Sequence, residues 1–472
     1  MSNQFLSLAP EGILFLILLL LFAQSALDHK LTMPKVSGWL PCALVPVCLS
    51  AAVSVFMVEP VQMGAYTIDG VSQFFKLAIG GGFLVLVLNA SRQPTLADDK
   101  RNDYFLFMTM SAWGLMLLAS TTELVSLYLA LELASYSLYV LIPIRDSTRR
   151  SAEAGAKYIL FGAAATAVSL FGLSFIMCAQ HTTYIQTLAA CNWDWAQNPV
   201  AVMGLTLFLS GMFFKLALFP FHFWCPDVYQ GASNETAAFV ATLPKLGGVV
   251  ILMRLTAFLQ PGMAITNIIA VLALLSMTFG NLCALNQKDL KRMLGFSSVA
   301  HAGYIVLGFI TGTPQGLAAA AFYAVAYLVM NLLCFWVVSR VAADGRNLVL
   351  EDLNGLYKRA PALAFALAVG AFALVGLPPT IGFMGKFFLI AAAWDNGYNW
   401  LVIALVLNSA IAIFYYLTLV RHAYTEDTAP QEAPDSSPFS VTGALVLAAT
   451  VLVLGILPSG FLEQALEAVK SM

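Results

Sequence analysis

The chain has 472 residues, of which 60% are hydrophobic and only 10% charged, with a formal net charge of −2; soluble domains carry about a quarter charged residues. A soluble core of this length has no room for so much apolar surface, whereas a bilayer removes the need for a polar exterior. The near-neutral balance, with no basic run or aromatic–basic stripe, gives nucleic acid nothing to bind. Met1 to Pro10 contain no Lys or Arg and no A-x-A site follows Leu21, so the first apolar stretch is expected to stay as a membrane span and not leave as a signal peptide. A span needs about 20 mainly apolar residues. In chain order this places about fourteen: 9–27, 38–58, 70–90, 103–120, 123–143, 154–178, 199–224, 235–259, 263–286, 292–312, 315–339, 361–395, 399–421 and 438–458.

The loops test that count, because they must alternate sides and inner loops attract Lys and Arg. With the N-terminus outside, sixteen of the 23 basic residues fall in inner loops and only Arg254 and Lys470 fall outside. Both termini are therefore expected to face outward. The acidic, proline-rich segment Thr425–Pro438 reads as a mobile loop on the inner face.

Seven cysteines are scattered singly, with no C-x-x-C, H-E-x-x-H, Walker or dinucleotide-binding glycine pattern. No metal site, redox centre or nucleotide is expected in this polypeptide. Gly80 to Gly82 lie inside an apolar helix, where close helix packing explains them better than a phosphate.

Five lysines remain at membrane depth or its edge: Lys76, Lys157, Lys215, Lys245 and Lys386, with Glu132 in the middle of the fifth span. A charge at the bilayer centre costs from about 2.5 kcal/mol upward, so such residues usually face an internal pathway. Lys76 and Lys157 lie near span ends and can snorkel to the interface. Glu132, Lys215, Lys245 and Lys386 are too deep for that, which leaves a structural ion pair or a proton relay. Burial lowers a lysine's affinity for its proton and a nearby carboxylate restores it, so such a pair can hold a proton and release it when it opens. A sodium or metal cage would need clustered carboxylates, and Glu132 is the single one read as deep. His301 lies nine residues past Arg292, roughly 13 Å into the membrane. His222 follows Lys215 by seven residues, the same face of a continuous helix.

Prolines interrupt two of the spans beside these charges. Pro220 follows Lys215 in KLALFPFHFW, and Pro378 and Pro379 precede Lys386 in GLPPTIGFMGKFF. Proline removes a backbone donor and displaces the carbonyl four residues back, here near Leu216 and near Leu374 and Val375. Such freed groups are tolerated at membrane depth where they line a polar cavity. If spans 4–8 and 9–13 are two repeats, the breaks fall in the fourth helix of each, the seventh and twelfth overall. Five helices is an odd number, so the second repeat is inverted, as in many ion transporters. The expected organisation is an all-α polytopic membrane protein: helices 1–3 in 1–102, a first five-helix repeat in 103–260, an inverted second in 261–424, and the acidic loop with a last helix in 425–472.

KLALFPFHFWCPDVYQGA from Lys215 to Ala232, KRMLGFSSVAHAGY from Lys291 to Tyr304, and GLPPTIGFMGKF resemble the antiporter-like membrane subunits of respiratory complex I. That family has relatives in Mrp-type cation/proton antiporters and membrane-bound hydrogenases. PDVYQG and the short C-terminus, with no long lateral helix after residue 458, look like the N type and not the L or M type. The resemblance implies that Glu132, Lys215, Lys245, His301 and Lys386 form a proton relay along the membrane plane, with Glu153 and Lys157 matching a helix-6 pair; His222, from its spacing alone, is a secondary candidate. It also implies that NADH or a related donor, FMN, iron–sulfur clusters and quinone belong to partner subunits, with an M-type and small K- and J-type subunits as neighbours. The expected site is a bacterial inner membrane. A self-contained Mrp-type or hydrogenase-type antiporter subunit and a purely structural membrane subunit are the alternatives. Two breaks at matched positions speak against the structural one.

Overall fold

The computed structural model describes residues 7–27, 35–57, 60–144, 149–259, 263–426 and 433–472. The long helices are α1 (Ala9–Leu27), α2 (Val36–Met57), α3 (Gly70–Ala90), α4 (Arg101–Ala119), α5 (Leu124–Leu141), α6 (Arg149–Gln180), α7 (Pro199–Leu216), α8 (Trp224–Gly231) and α9 (Asn234–Leu255). They are followed by α10 (Ala264–Leu285), α11 (Leu290–Ile310), α12 (Pro314–Val341), α13 (Pro361–Val375), α14 (Ile381–Asp395), α15 (Asn399–Tyr424), α16 (Pro438–Ile456) and α17 (Ser459–Lys470).

Among the described residues, 12 helices are long and apolar enough to cross a membrane. Two of the expected positions fall outside that set for physical reasons. Helix α4 begins on Arg101, Asn102 and Asp103, which dilute its apolar character. The span expected at 361–395 is split into α13 and α14, each of 15 residues. A short hairpin, β1 (Val61–Met63) and β2 (Tyr66–Ile68), precedes α3 and adds two short strands to the otherwise helical described residues. Helix α17 also goes beyond the sequence reading, which ended the helices at residue 458. Its Phe461 stacks on Phe74 of α3 and lies 5.2 Å from Phe322 of α12.

Local chemistry starts these helices where they start. Asp69 and Ser72 form a capping box at α3. Glu123, Asn198, Ser233, Asp289 and Thr313 cap α5, α7, α9, α11 and α12 by accepting from backbone N–H groups in the first turn. Pro199, Pro314, Pro361 and Pro438 stand at first helical positions, where a missing N–H costs nothing. Gly172 of α6 faces Gly204 of α7 so closely that a Cβ on Gly172 would lie 2.6 Å from the Gly204 carbonyl oxygen. Small residues here replace the hydrophobic drive that lipid removes. Of the three glycines at 80–82, only Gly82 sits at a close approach, where an added Cβ would lie 2.9 Å from Leu243.

Helices α9, α11 and α12 are almost entirely buried, while α1, α2, α6, α10, α15 and α16 expose apolar side chains such as Leu20, Phe56, Leu160, Leu282, Phe414 and Val446. The outer helices thus present a lipid-compatible rim. The three central helices carry the polar interior.

Candidate functional site

The two broken helices end by the same device. Helix α7 stops on Ala217 in the left-handed conformation (φ 59°), and the Leu218 N–H donates 2.9 Å back to the Phe213 carbonyl. Helix α13 stops on Gly376 (φ 89°), and the Leu377 N–H donates 3.0 Å back to the Phe372 carbonyl. Both are Schellman endings, followed by Phe219-Pro220 in one case and Pro378-Pro379 in the other. At the first break Ser276 of α10 accepts from the Phe219 N–H at 2.7 Å, and Trp224 donates to the Phe214 carbonyl at 2.9 Å.

The remaining freed carbonyls are taken by lysines. Lys245 of α9 donates to the Leu216 carbonyl at 2.9 Å and to the Ser298 carbonyl at 3.4 Å. Lys386 of α14 donates to the Val375 carbonyl at 2.8 Å, the Leu374 carbonyl at 3.5 Å and Ser409 at 3.0 Å. So the second break lies beside its own lysine, as its sequence predicts. The first does not: its carbonyl belongs to Lys245 of the next helix, while Lys215 turns to α5.

Lys215 lies 3.6 Å from Glu132, both side chains buried. Its ammonium donates to Ser135 at 2.7 Å, and Thr166 donates to the Glu132 carboxylate at 3.1 Å. The second Glu132 oxygen is buried with no hydrogen-bond partner among the described residues. At about 4 Å and an effective dielectric near 20 the attraction is about 4 kcal/mol, yet the pair is open in the sense that no direct hydrogen bond closes it.

Between Lys245 and Lys386 runs a polar seam. Ser298, His301 and Tyr304 recur every three residues on α11, one helical face. Opposite them on α12, Tyr327 donates to Ser298 at 2.6 Å and the Tyr323 hydroxyl meets His301 Nδ1 at 2.8 Å. Tyr229 of α8 reaches Ser298 at 3.2 Å. Tyr304 is edge-on to His301, and its ring lies 4.5 Å from the Lys386 ammonium. Asn281 donates to the Tyr304 hydroxyl at 2.9 Å. Sequence reading found His301 in this seam but none of the tyrosines. The signal was a three-residue and a four-residue spacing of polar groups on adjacent helices, visible only once the two faces are known to meet.

The other candidates lie elsewhere. Glu153 and Lys157 form an i,i+4 pair at 2.7 Å, and Lys157 also binds Asp227 of α8 at 2.6 Å. Arg292 pairs with the same Asp227. With Arg150 these groups line a cavity of about 150 Å³, built on Asp227 and not on Glu132. His222 does not share a helical face with Lys215, because α7 ends between them. It packs among Phe219, Phe223 and Phe279 instead. Lys76 does not snorkel. It is fully buried and donates to Glu11 at 2.7 Å. Among the described residues no group of three His, Cys, Asp or Glu side chains is placed to hold a metal ion.

Comparison with known proteins follows the same lines. The family model described as "NADH:quinone oxidoreductase/Mrp antiporter, TM" matches residues 121–412. The NADH-quinone oxidoreductase subunit N 2 of Solidesulfovibrio magneticus is 57% identical over 463 residues, covering 98% of each chain. The protein of the same name from Opitutus terrae is 40% identical over 468 residues, covering 97% of this chain and 96% of its own. Among solved structures, a chain of respiratory complex I from Thermus thermophilus with bound aureothin superposes with a TM-score of 0.83 at 32% identity, covering 96% of this chain and 98% of that one. The chain belongs to the family of transmembrane subunits common to NADH:quinone oxidoreductases and Mrp antiporters.

Proposed function

We propose that this chain is the N-type, proton-translocating membrane subunit of a complex-I-type oxidoreductase that passes electrons from NADH or a related donor to quinone. The observation that carries the reading is the buried line Glu132–Lys215, Lys245, Ser298–Tyr327, His301–Tyr323, Tyr304 and Lys386, strung between two broken helices. Hydroxyl and imidazole groups both donate and accept, so they can hand protons along the seam between Lys245 and Lys386. Redox energy released in partner subunits, where FMN, iron–sulfur clusters and quinone would sit, reaches this chain electrostatically. Glu132 holds Lys215 charged, Lys245 and His301 pass the proton on, and Lys386 releases it.

The matched Schellman endings at Ala217 and Gly376 support two inverted five-helix repeats within 103–260 and 261–424, preceded by three helices in 1–102 and followed by 425–472. The distribution of Lys and Arg supports about fourteen spans with both termini outside, in a bacterial inner membrane. Neighbours would be an M-type antiporter-like subunit and small K- and J-type subunits.

The test uses the whole complex reconstituted in liposomes. Lys215→Ala and Glu132→Ala are expected to lower proton pumping while quinone reduction and assembly on native gels persist. Because removing one partner of a buried pair costs about 3–5 kcal/mol, assembly is measured alongside. Lys215→Ala pumping at the native level in an assembled complex overturns the relay.

A further inference from the structure

Asn281 of α10 stands between the seam and α15 and is fully buried. Its Nδ2 donates to the Met277 carbonyl at 2.9 Å and to the Tyr304 hydroxyl at 2.9 Å. Its Oδ1 accepts from the Tyr415 hydroxyl of α15 at 2.9 Å. A carbonyl can only accept, so Met277 obliges the amide nitrogen to point its way and the amide cannot be turned over. Asn408 of α15 agrees with this: its own nitrogen is taken by the Ala404 carbonyl at 2.9 Å, and its oxygen faces the same Nδ2 at 3.5 Å. Both phenol orientations follow. Tyr415 donates to Asn281, whereas Tyr304 accepts from it, so the Tyr304 proton is turned away from α10. Ser409, a neighbour of the Tyr304 hydroxyl, accepts from Lys386 at 3.0 Å.

The amide has a different hydroxyl system on each side. On the Tyr304 side lie His301, Lys386 and the rest of the seam. On the other side Tyr415 neighbours Ser297 and Tyr416, which are hydrogen-bonded to each other. All three are buried. Ser297 precedes Ser298 in the chain, so this second group returns to α11 one residue from the seam, on a different face. A hydroxyl takes one proton and gives up another, and so passes protons on. An amide nitrogen only donates and an amide oxygen only accepts. For a proton to cross Asn281, Oδ1 would have to gain one and Nδ2 lose one. That leaves the imidic acid tautomer, which is much less stable than the amide. A hydroxyl at this position would instead join the two systems into one chain.

We propose that Asn281 is a positioning residue for proton transfer: it turns the Tyr304 hydroxyl proton toward Lys386 and keeps the seam separate from the Tyr415, Ser297 and Tyr416 hydroxyls. The role rests on the proton-translocating reading of the chain. Each oxygen of the seam that gains a proton gives one up, and the amide is unchanged throughout. Packing alone asks less of this position. A residue that only fastened α10 to α11 and α15 would need a bond to each helix, but no fixed donor side, and a carboxyl would serve as well.

The test is coupled pumping by the complete reconstituted complex, read as protons moved per quinone reduced, with thermal stability measured alongside. Asn281→Leu nearly keeps the volume but no longer holds Tyr304. Tyr415→Phe removes the bond on the far side and leaves both Nδ2 bonds in place. The expected result is a loss of about ten-fold for Asn281→Leu, as for a misplaced transfer partner, and native pumping for Tyr415→Phe. Native pumping by assembled Asn281→Leu overturns the role, and an equal loss in both variants makes Asn281 a helix fastener. Asn281→Asp adds a reading that fastening would not move. Position 281 is faced by Tyr304 of α11 and by Tyr415 and Tyr416 of α15, with His301 and Lys386 beyond Tyr304. Protonated, the acid can still donate to Tyr304; ionised, it only accepts and draws the Tyr304 proton to itself. Pumping by Asn281→Asp relative to the native complex is therefore expected to fall as pH rises across the range in which the complex is active. A ratio that stays at one overturns the role, also where Asn281→Leu does not assemble. If Lys215→Ala pumps normally, the relay itself has failed; if Lys215→Ala loses pumping and Asn281→Leu does not, the relay stands and the role of Asn281 falls.

Discussion

Lys245 is held by backbone carbonyls from two different elements, Leu216 at the end of α7 and Ser298 on α11. Lys386 is likewise held by the carbonyls at the end of α13 and by Ser409. Each ammonium therefore sits at the negative end of a half-helix, where a cation is favoured, and neither depends on a carboxylate. Such dipoles stabilise the charged form without fixing the proton. A lysine so placed can lose its proton, whereas an arginine keeps its charge at any attainable pH. Lys386→Arg and Lys386→Ala are accordingly expected both to abolish this chain's share of pumping in assembled complex. Arginine pumping at the native level would mean that the position needs only charge. The lysines were legible in the sequence because a charge in an apolar run has few ordinary explanations. Tyr304, Tyr323, Tyr327 and Ser298 were not, because tyrosines and serines are common in membrane helices and acquire meaning only when α11 and α12 face each other.

At the scale of elements, the prolines marked both breaks, yet they did not show where the helices end. Both end three residues before the second residue of the X-Pro pair, on a left-handed residue: Ala217 at the first break and Gly376 at the second. A side chain in that conformation costs about 1–2 kcal/mol, a cost that glycine avoids. Gly376→Ala is expected to destabilise the complex by about that amount. Its Cβ would also come within 3.0 Å of the Lys386 side chain, so pumping should fall with stability. Ala217→Gly is expected to do the reverse for stability, raising it by about 1 kcal/mol. Thermal unfolding of the purified complex reads both, and a Gly376→Ala variant as stable as the native one would refute the argument. Helix α17 escaped the sequence reading for a different reason. At 12 residues it is too short to span, and a search for apolar runs of about 20 residues passes over it. Its apolar residues Phe461, Leu462, Ala465 and Val469 nonetheless follow helical spacing, and Ala465, Ala468 and Val469 are buried.

Across the whole molecule, the described end of the acidic segment is tied to distant parts of the chain. Residues 427–432 lie outside the described residues, but Asp435 ties the following segment to the body of the protein. It accepts from Arg92 at 2.9 Å, from Ser440 at 2.6 Å and from the Ser437 N–H at 3.1 Å. Partial burial lifts its carboxyl, but Ser440, Ser437 and Arg92 outweigh burial and hold it at about 2 against an ordinary 3.8. A carboxyl held down in this way stabilises the anchor fully above its ordinary value, and the contribution is lost as pH falls toward 2. Asp435→Asn imitates the acid form at neutral pH. It is expected to speed cleavage after Glu432 by a glutamate-specific protease, and only when the protease reaches the inner face. Equal cleavage of native and variant chains refutes the anchor, and cleavage from the outer face refutes the expected topology.

The contact between α17 and α3 also sets a schedule for making the protein. The Gly70 N–H donates to Ser471 at 2.8 Å across 401 positions of sequence, which take about 20–80 s to synthesise at about 5–20 residues per second. Throughout that interval α3 stands in the bilayer without the helix that finally covers its start. Lys76 would be a liability for insertion at that stage, but its partner Glu11 has been made before it. The early-formed pair lets a buried lysine wait for the far end of the chain.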